Sequence, residues 1–418
     1  MRVRWRARLG GILIGLTVGT AAHAQNVASS RAVVARPSTL MLRGDVLVDV
    51  RRRVLAGDAT LGPAVAQLRR DANKAFAAPL LAVTDKRTMM PPSNDAHDYY
   101  SLSPYWWPDS SKTDGLPYIR RDGVTNPESK RDLDAPRITA MSDRVMTMTL
   151  AWWYTGEAKY AERAATQLRA WFVDSVTRMT PHLRYAQLVR GNDKERGSGI
   201  IDSRGLLDVV DAIVLLEQST MLSDGDRRAL RGWFSSYLAW LQTSPNGQTE
   251  RAAKNNHGSW FAAQTAAFAL FAGDTALART VVSDVRARIG WQVQADGRQP
   301  LELERTKSLH YSAFNVLALS RLAEMGRPLG IDLWTYHAPT GGSVAAAIDR
   351  MAPYVDRQHE WPDTQIDPVR TDYLLEVFRK ARMALGDAKY DEVIARLPKV
   401  DTAKDVSLLL YATPTVRP

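Results

Sequence analysis

Apolar residues recur at three- and four-residue spacing along most of the chain, which is the period of an amphipathic helix. The pattern predicts helices near 138–155, 158–174, 205–222, 226–243, 257–272, 275–290, 311–325, 343–355, 370–385 and 389–397. Strand-type alternation is scarce. Three predicted helices run into a glycine followed by an acid: Gly156-Glu157, Gly273-Asp274 and Gly386-Asp387. Such a glycine can take the left-handed cap, and the acid suits the start of a new helix. Tyr160 and Tyr390 stand at the same offset beyond their glycines. This echo predicts helical hairpins stacked side by side, so the expected class is all-α. Repeated antiparallel pairs build a solenoid or an α/α toroid, with a groove where the inter-helix loops meet.

One segment breaks the helical period. From about Met89 to Pro136 the chain is rich in proline, glycine, aspartate and aromatic residues, and it is expected to form an aromatic lid loop. Its centre reads Tyr99-Tyr100-Ser101-Leu102-Ser103-Pro104-Tyr105-Trp106-Trp107-Pro108-Asp109, followed by Tyr118-Ile119-Arg120-Arg121-Asp122-Gly123. Long loops in compact domains are usually functional. Tyr100, Trp106 and Trp107 offer ring faces to sugars, and Arg120 offers a fork for carboxylates.

The N-terminus changes the picture of where the protein works. Arg2, Arg4, Arg6 and Arg8 precede an apolar run from Leu9 to Ala22, and Ala22-His23-Ala24 fits a cleavage site. Residues 1–24 therefore read as an export signal, with a mature chain from about Gln25 that is periplasmic or secreted. The run is too short to span a membrane, and no later stretch is long enough. With no linker or low-complexity tract after residue 40, residues 25–418 are expected to form one domain. The 418 residues include no cysteine, which removes disulfides and thiolate metal sites. Removing the leader's four arginines leaves +6 of the net +10, a moderate excess suited to a polyanion but not decisive. The basic residues are dispersed, and export argues against nucleic acid as a partner.

Candidate chemistry gathers at two predicted helix starts. Lys254-Asn255-Asn256-His257-Gly258-Ser259-Trp260 places two amides and an imidazole at a helix N-terminus. Free N–H groups and the helix dipole make that place a cradle for a carboxylate; simple capping by Asn255 or Asn256 explains the same residues. Glu302-Leu303-Glu304-Arg305 and His310-Tyr311 lead into a second helix. A weaker third stretch holds Tyr185-Ala186-Gln187 and Gly199-Ile200-Ile201-Asp202; it lacks the Gly-Lys-Ser/Thr ending of a phosphate loop.

Taken in order, these segments resemble the alginate-lyase-like superfamily of polysaccharide lyases. The resemblance covers roughly residues 70–385. It rests on Asn255 to Trp260, on Glu304-Arg305 with Tyr311, on the Tyr-Ser-x-Ser-x-x-Trp-Trp-Pro loop, and on the Tyr185 and Gly199 stretches. It implies an incomplete (α/α) toroid, no metal or other cofactor, and an anionic polysaccharide as partner of a monomeric enzyme. It also implies roles. Asn256 and His257 would neutralise the substrate carboxylate. Arg305 would assist or lower the pKa of the phenol, and Tyr311 would move the proton. Tyr185, Gln187, Asn255, Trp260 and His310 would join the lid residues in binding. The Arg305-to-Tyr311 spacing is one residue shorter than in mannuronate-specific members and closer to glucuronan-type relatives, which leaves the preferred sugar open.

The chemistry asks for such groups. β-Elimination takes the proton at C5, beside a carboxylate, and expels the oxygen at C4. The intermediate would carry two negative charges unless amide and imidazole N–H groups spread them. Tyrosine, with a pKa near 10 in water, needs a cationic neighbour to ionise. In mannuronate and glucuronate the C5 hydrogen and C4 oxygen share a face, so one tyrosine can serve both as base and as acid. In guluronate and galacturonate they lie on opposite faces, and His257 or His310 would be the second group. Two other readings fit the sequence. A toroidal glycoside hydrolase would need two flanking carboxylates, for which Asp202, Glu302, Glu304 and Asp363 are available. A non-catalytic polyuronate-binding protein would use the same aromatic loop.

Overall fold

The predicted hairpins form, with two helices ahead of them. The protein, seen in a computed structural model, is described for residues 35–192 and 194–413; residues 1–24, expected to be an export leader, lie outside these residues. Helices α1 (Gly44–Leu55) and α2 (Gly62–Ala77) precede the irregular segment. The hairpin series follows with α3 (Asp134–Thr155), α4 (Ala158–Leu168), α5 (Leu206–Leu216) and α6 (Asp224–Thr243). Then come α7 (Pro245–Ala252), α8 (Asn256–Ala272), α9 (Thr275–Gln292), α10 (Pro300–Leu303) and α11 (Ser308–Gly326). The series ends in α12 (Val344–Met351), α13 (Thr371–Leu385) and α14 (Lys389–Arg396). Sequence pattern misses α1 because Val46, Val48 and Val50 alternate as in a strand. It misses α2 because three of the four buried residues there are alanines.

Burial sorts the helices into two layers. Helix α11 buries 17 of its 19 residues, whereas α9 buries five of 18. A helix that is apolar on all sides belongs inside, and a one-sided one belongs outside. The inner helices α3, α5, α8, α11 and α13 touch in succession, and α4, α6, α9, α12 and α14 back them. Helix α1 and the short Ser407–Leu410 helix span the gap between α13 and α3 in place of another hairpin. The architecture is an (α/α) toroid.

The hairpin echo has a structural basis. Gly156, Gly273 and Gly386 all cap their helices in the left-handed region, at φ 75, 89 and 72°. Tyr160 and Tyr390 are both buried, and each hydroxyl donates to a polar group on the hairpin before it, Asn73 and Asp349. Among the described residues, no helix is long and apolar enough to cross a membrane.

The irregular segment folds over one end of the inner layer. It contains β1 (Tyr100–Leu102), β2 (Trp106–Trp107) and β3 (Ile119–Arg120). Strands β2 and β3 pair antiparallel, with Trp106 opposite Arg120. Strand β1 pairs in parallel with β4 (Tyr185–Leu188).

Candidate active site

The N-termini of the inner helices α8 and α11 open into one cleft of about 940 Å³. Asn255, Asn256, His257, Arg305, His310 and Tyr311 all line it, and the 89–136 segment forms the opposite wall through Tyr105, Trp106 and Arg120. Residues far apart in sequence meet here because both helices start at the same end of the toroid.

Arg305 sits at the centre. Its Nη2 donates to the Tyr311 hydroxyl at 2.8 Å and to Asp122 Oδ1 at 2.7 Å, while Nε donates to both Asp122 oxygens. Its Cζ lies 3.7 Å from the Tyr311 ring centroid, so charge and ring also stack. Asp122 further accepts from Arg120 and from the Thr306 amide. Burial works against the Asp122 carboxylate, yet the bonds from Arg305, Thr306 and Arg120 hold it well below the usual range. Gly123 makes this approach possible. It has φ +76°, and a Cβ there would lie 2.3 Å from Thr306 Oγ1.

Tyr311 is 7 % exposed, and its hydroxyl donates to the Tyr105 hydroxyl at 2.9 Å. Burial pushes the phenol well above its ordinary range and Tyr105 adds to this, against the pull of Arg305. The cleft therefore favours Tyr311 as a neutral phenol. Asp122 offsets much of the charge that the sequence assigns to ionising it.

The α8 N-terminus is braced by two buried acids. His257 Nδ1 meets Glu250 Oε1 at 2.6 Å, leaving Nε2 for the cleft. Glu250 comes from α7 and is 3 % exposed. Glu302, from α10, accepts from the Asn256 amide N and from its Nδ2, both at 2.6 Å. Burial pushes Glu302 up to about 7, against these bonds and the charges of Arg305 and His257. Asn256 is fully buried, so it faces the cleft from behind its neighbours. Asn255 caps the helix by accepting from the His257 amide, and its side-chain nitrogen has no partner among the described residues. It is the freer amide of the two.

His310 stacks on Tyr373 at 5.2 Å and on Phe314 at 6.0 Å. Burial, with Lys307, Arg204 and Arg305, pushes its imidazole down to about 4. It is a neutral ring in the cleft wall. Gln187 also lines the cleft, its Nε2 donating to Asp202 at 2.7 Å.

Four residues expected at the site are not on the cleft wall. Trp260 is 4 % exposed, packed on Phe314 at 4.9 Å, because α8 is buried on all sides. The Trp107 Nε1 donates to Val124 O at 2.9 Å, since the β2–β3 pair turns Trp106 and Trp107 to opposite faces. Tyr100 and Tyr185 are register partners in β1 and β4 and leave the cleft to Ser103 and Gln187. Conversely, Tyr105, Asp122 and Glu250 escape the sequence reading of the site. Tyr105 stands in the aromatic loop that drew attention, whereas nothing local marks Asp122 or Glu250.

The sequence profile of the alginate lyase family matches residues 82–361, a span that contains every cleft residue from Tyr105 to Tyr311. The chain belongs to the alginate lyase family. It is a polysaccharide lyase, and the hydrolase and non-catalytic readings fall. An alginate lyase from Bacteroides ovatus is similar at 36% identity, with a TM-score of 0.85, over 90% of this chain and 99% of that one. Alginate lyase A1-III from Sphingomonas species A1 shares the fold at 17% identity and a TM-score of 0.53, over 84% of this chain and 97% of that one. A histidine-to-alanine variant of alginate lyase A1-III, complexed with a tetrasaccharide, is similar at 19% identity and a TM-score of 0.59, over 92% and 98% of the two chains. A comparison with curated proteins returns no match.

Proposed function

We propose that this lyase cleaves a 1,4-linked polyuronate, mannuronate-rich alginate or glucuronan, by syn β-elimination. The observation that carries the reading is the Arg305 guanidinium joined to the Tyr311 hydroxyl at 2.8 Å, in the cleft that also holds His257. The name of the Bacteroides ovatus relative supports alginate as a substrate.

The substrate carboxylate docks at the α8 N-terminus. His257 Nε2 and the Asn255 side-chain amide donate to its oxygens, and the helix dipole adds positive potential. Asn256, fixed by Glu302, holds that first turn in place. Neutralising the carboxylate acidifies C5–H without a bound cation. Tyr311 passes its hydroxyl proton to Tyr105, whose own hydroxyl proton leaves to solvent, and the resulting phenolate, stabilised by Arg305, takes the C5 proton. The same hydroxyl then protonates the departing C4 oxygen. His310, as a neutral and stacked ring, is poorly suited to a second acid, which favours the one-tyrosine route of mannuronate and glucuronate.

The test is a panel of polymannuronate, polyguluronate, glucuronan, hyaluronan and polygalacturonate, followed by the ultraviolet absorbance of the unsaturated product. Polymannuronate or glucuronan should turn over fastest, and Tyr311→Phe should abolish product while remaining folded. Full activity in that variant would overturn the assignment. We also read residues 1–24 as a leader that delivers the enzyme to the periplasm or medium. N-terminal sequencing of exported protein should start near Gln25, and a cytoplasmic, uncut chain would refute this.

A further inference from the structure

The Asn256 amide is satisfied at only one end. Its Nδ2 donates to Glu302 Oε2 at 2.6 Å, beside the bond from its backbone N–H to Glu302 Oε1, also at 2.6 Å. Its Oδ1 is buried and has no partner among the described residues. A buried oxygen left in that state is costly, so it calls for an explanation.

Glu302 is the second oddity. It is 2 % exposed and, among the described residues, has no cation within ion-pair distance. The groups that bear on it come from three sides. The first turn of α8 brings His257, itself bonded to Glu250 of α7, and the turn after α10 brings Arg305. Both favour the carboxylate, but only from a distance. Helix α11, packed on α10, begins with His310 and Tyr311, for both of which burial favours the neutral form. Glu304, two residues on, is exposed. Burial outweighs the two cations and brings Glu302 to about 7.

One proton on Glu302 resolves both oddities. The oxygen and nitrogen ends of an amide are nearly alike in shape, so the partner decides which end it meets. A carboxylate can only accept, and it takes Nδ2. A protonated Glu302 can donate from Oε2 to Asn256 Oδ1 after a half-turn of the amide, while Oε1 still accepts the backbone N–H. No buried oxygen is then left over, and Nδ2 takes the place that Oδ1 held. Asn256 lines the cleft beside Asn255 and His257, and that place belongs to the amide end turned away from α10. An oxygen there repels a substrate carboxylate, whereas an N–H pair attracts it. The amide is fully buried, so it acts through its dipole in a medium of low dielectric, where such forces are strong.

We propose that Glu302 is a positioning residue that works as a neutral acid: protonated, it turns the Asn256 N–H groups towards the substrate carboxylate, and ionised, it pulls them back. This deepens the polyuronate reading and rests on it. Glu302 is neutral below about pH 7 and ionises above it, so docking weakens towards alkali while Tyr311 still gains.

Glu302→Gln separates the proton from the side chain, because glutamine can donate to Asn256 Oδ1 at every pH. Binding of uronate oligomer is read by calorimetry in Tyr311→Phe protein, with and without Glu302→Gln, and KM is followed on polymer in the active enzymes. Between about pH 6 and 9 the protein with Glu302 should lose affinity about tenfold or more relative to its glutamine variant, as expected for one interaction with a charge. In an Asn256→Ala background that divergence should vanish. The free, unaltered enzyme gives a readout that needs no substrate and so stands apart from the choice of polymer. Its infrared spectrum should show a protonated buried carboxyl at about pH 6 that is gone by about pH 9 and is missing from Glu302→Gln. Parallel affinity curves for the two proteins, a divergence that persists without Asn256, or no such carboxyl band at the lower pH would overturn the proposal.

Discussion

Replacing Arg305 by lysine keeps a positive charge and removes the fork, so it isolates what the fork contributes. In the protein one nitrogen, Nη2, bonds the Tyr311 hydroxyl at 2.8 Å and Asp122 at 2.7 Å, while Nε holds Asp122 as well. A lysine ammonium is a single point charge on a flexible stem and cannot reproduce that geometry. It would go to Asp122, whose carboxylate is only 20 % exposed, and leave the phenol without its donor. A hydrogen bond to a charged group contributes about 1.5–3 kcal/mol net. Lost from the phenolate-like transition state alone, that is roughly a 10- to 150-fold fall in kcat. Removing a cation that favours the phenolate raises the pKa of Tyr311. Both enzymes should gain rate as pH rises, with the variant's rising limb displaced about one to two pH units towards alkali, so that high pH recovers part of the rate without a plateau. The assay is initial-rate formation of unsaturated product between about pH 6 and 10, with thermal melting to confirm the fold. Wild-type kcat with an unmoved limb would refute the role of Arg305, as would a loss confined to KM.

Two further changes probe the acids behind α8. Glu250→Gln removes the charged partner of His257 Nδ1 and should cut kcat about tenfold or more, with little change in melting temperature; an unchanged kcat would detach Glu250 from the site. Glu302 is held near 7 when folded, above its ordinary 4.5, so the stability it contributes below about pH 4.5 is lost as pH rises through 7. Glu302→Gln has no proton to lose, and between about pH 5 and 9 it should gain on the wild type by up to about 3 kcal/mol in urea unfolding. A pH-independent difference between the two would show that the carboxyl is not buried as described.

The aromatic loop shows how far local signals carry. Its composition marked it as functional, and it does form a wall of the cleft, yet Trp106 faces the cleft and Trp107 does not. Two neighbouring tryptophans in a strand pair point to opposite faces, and which one points inward depends on the register with β3. Trp260 is a similar case. Its place three residues beyond His257 suggested a sugar platform, but α8 is enclosed by α5, α6, α9 and α11, and the ring fills core.

By itself the sequence determined the helical class and the hairpin rhythm, because periodicity and glycine caps act over a few residues. It also determined that amides and an imidazole stand at one helix start and that arginine and tyrosine stand at another. Only the tertiary structure decided that these starts share a cleft, since that follows from α8 and α11 lying side by side in the inner layer. Only it brought Asp122 across to Arg305 and Tyr105 to Tyr311, contacts that span 183 and 206 residues. The ionisation state of the site follows from those contacts. Burial, which no short stretch of sequence encodes, raises Tyr311 and Glu302 and lowers His310.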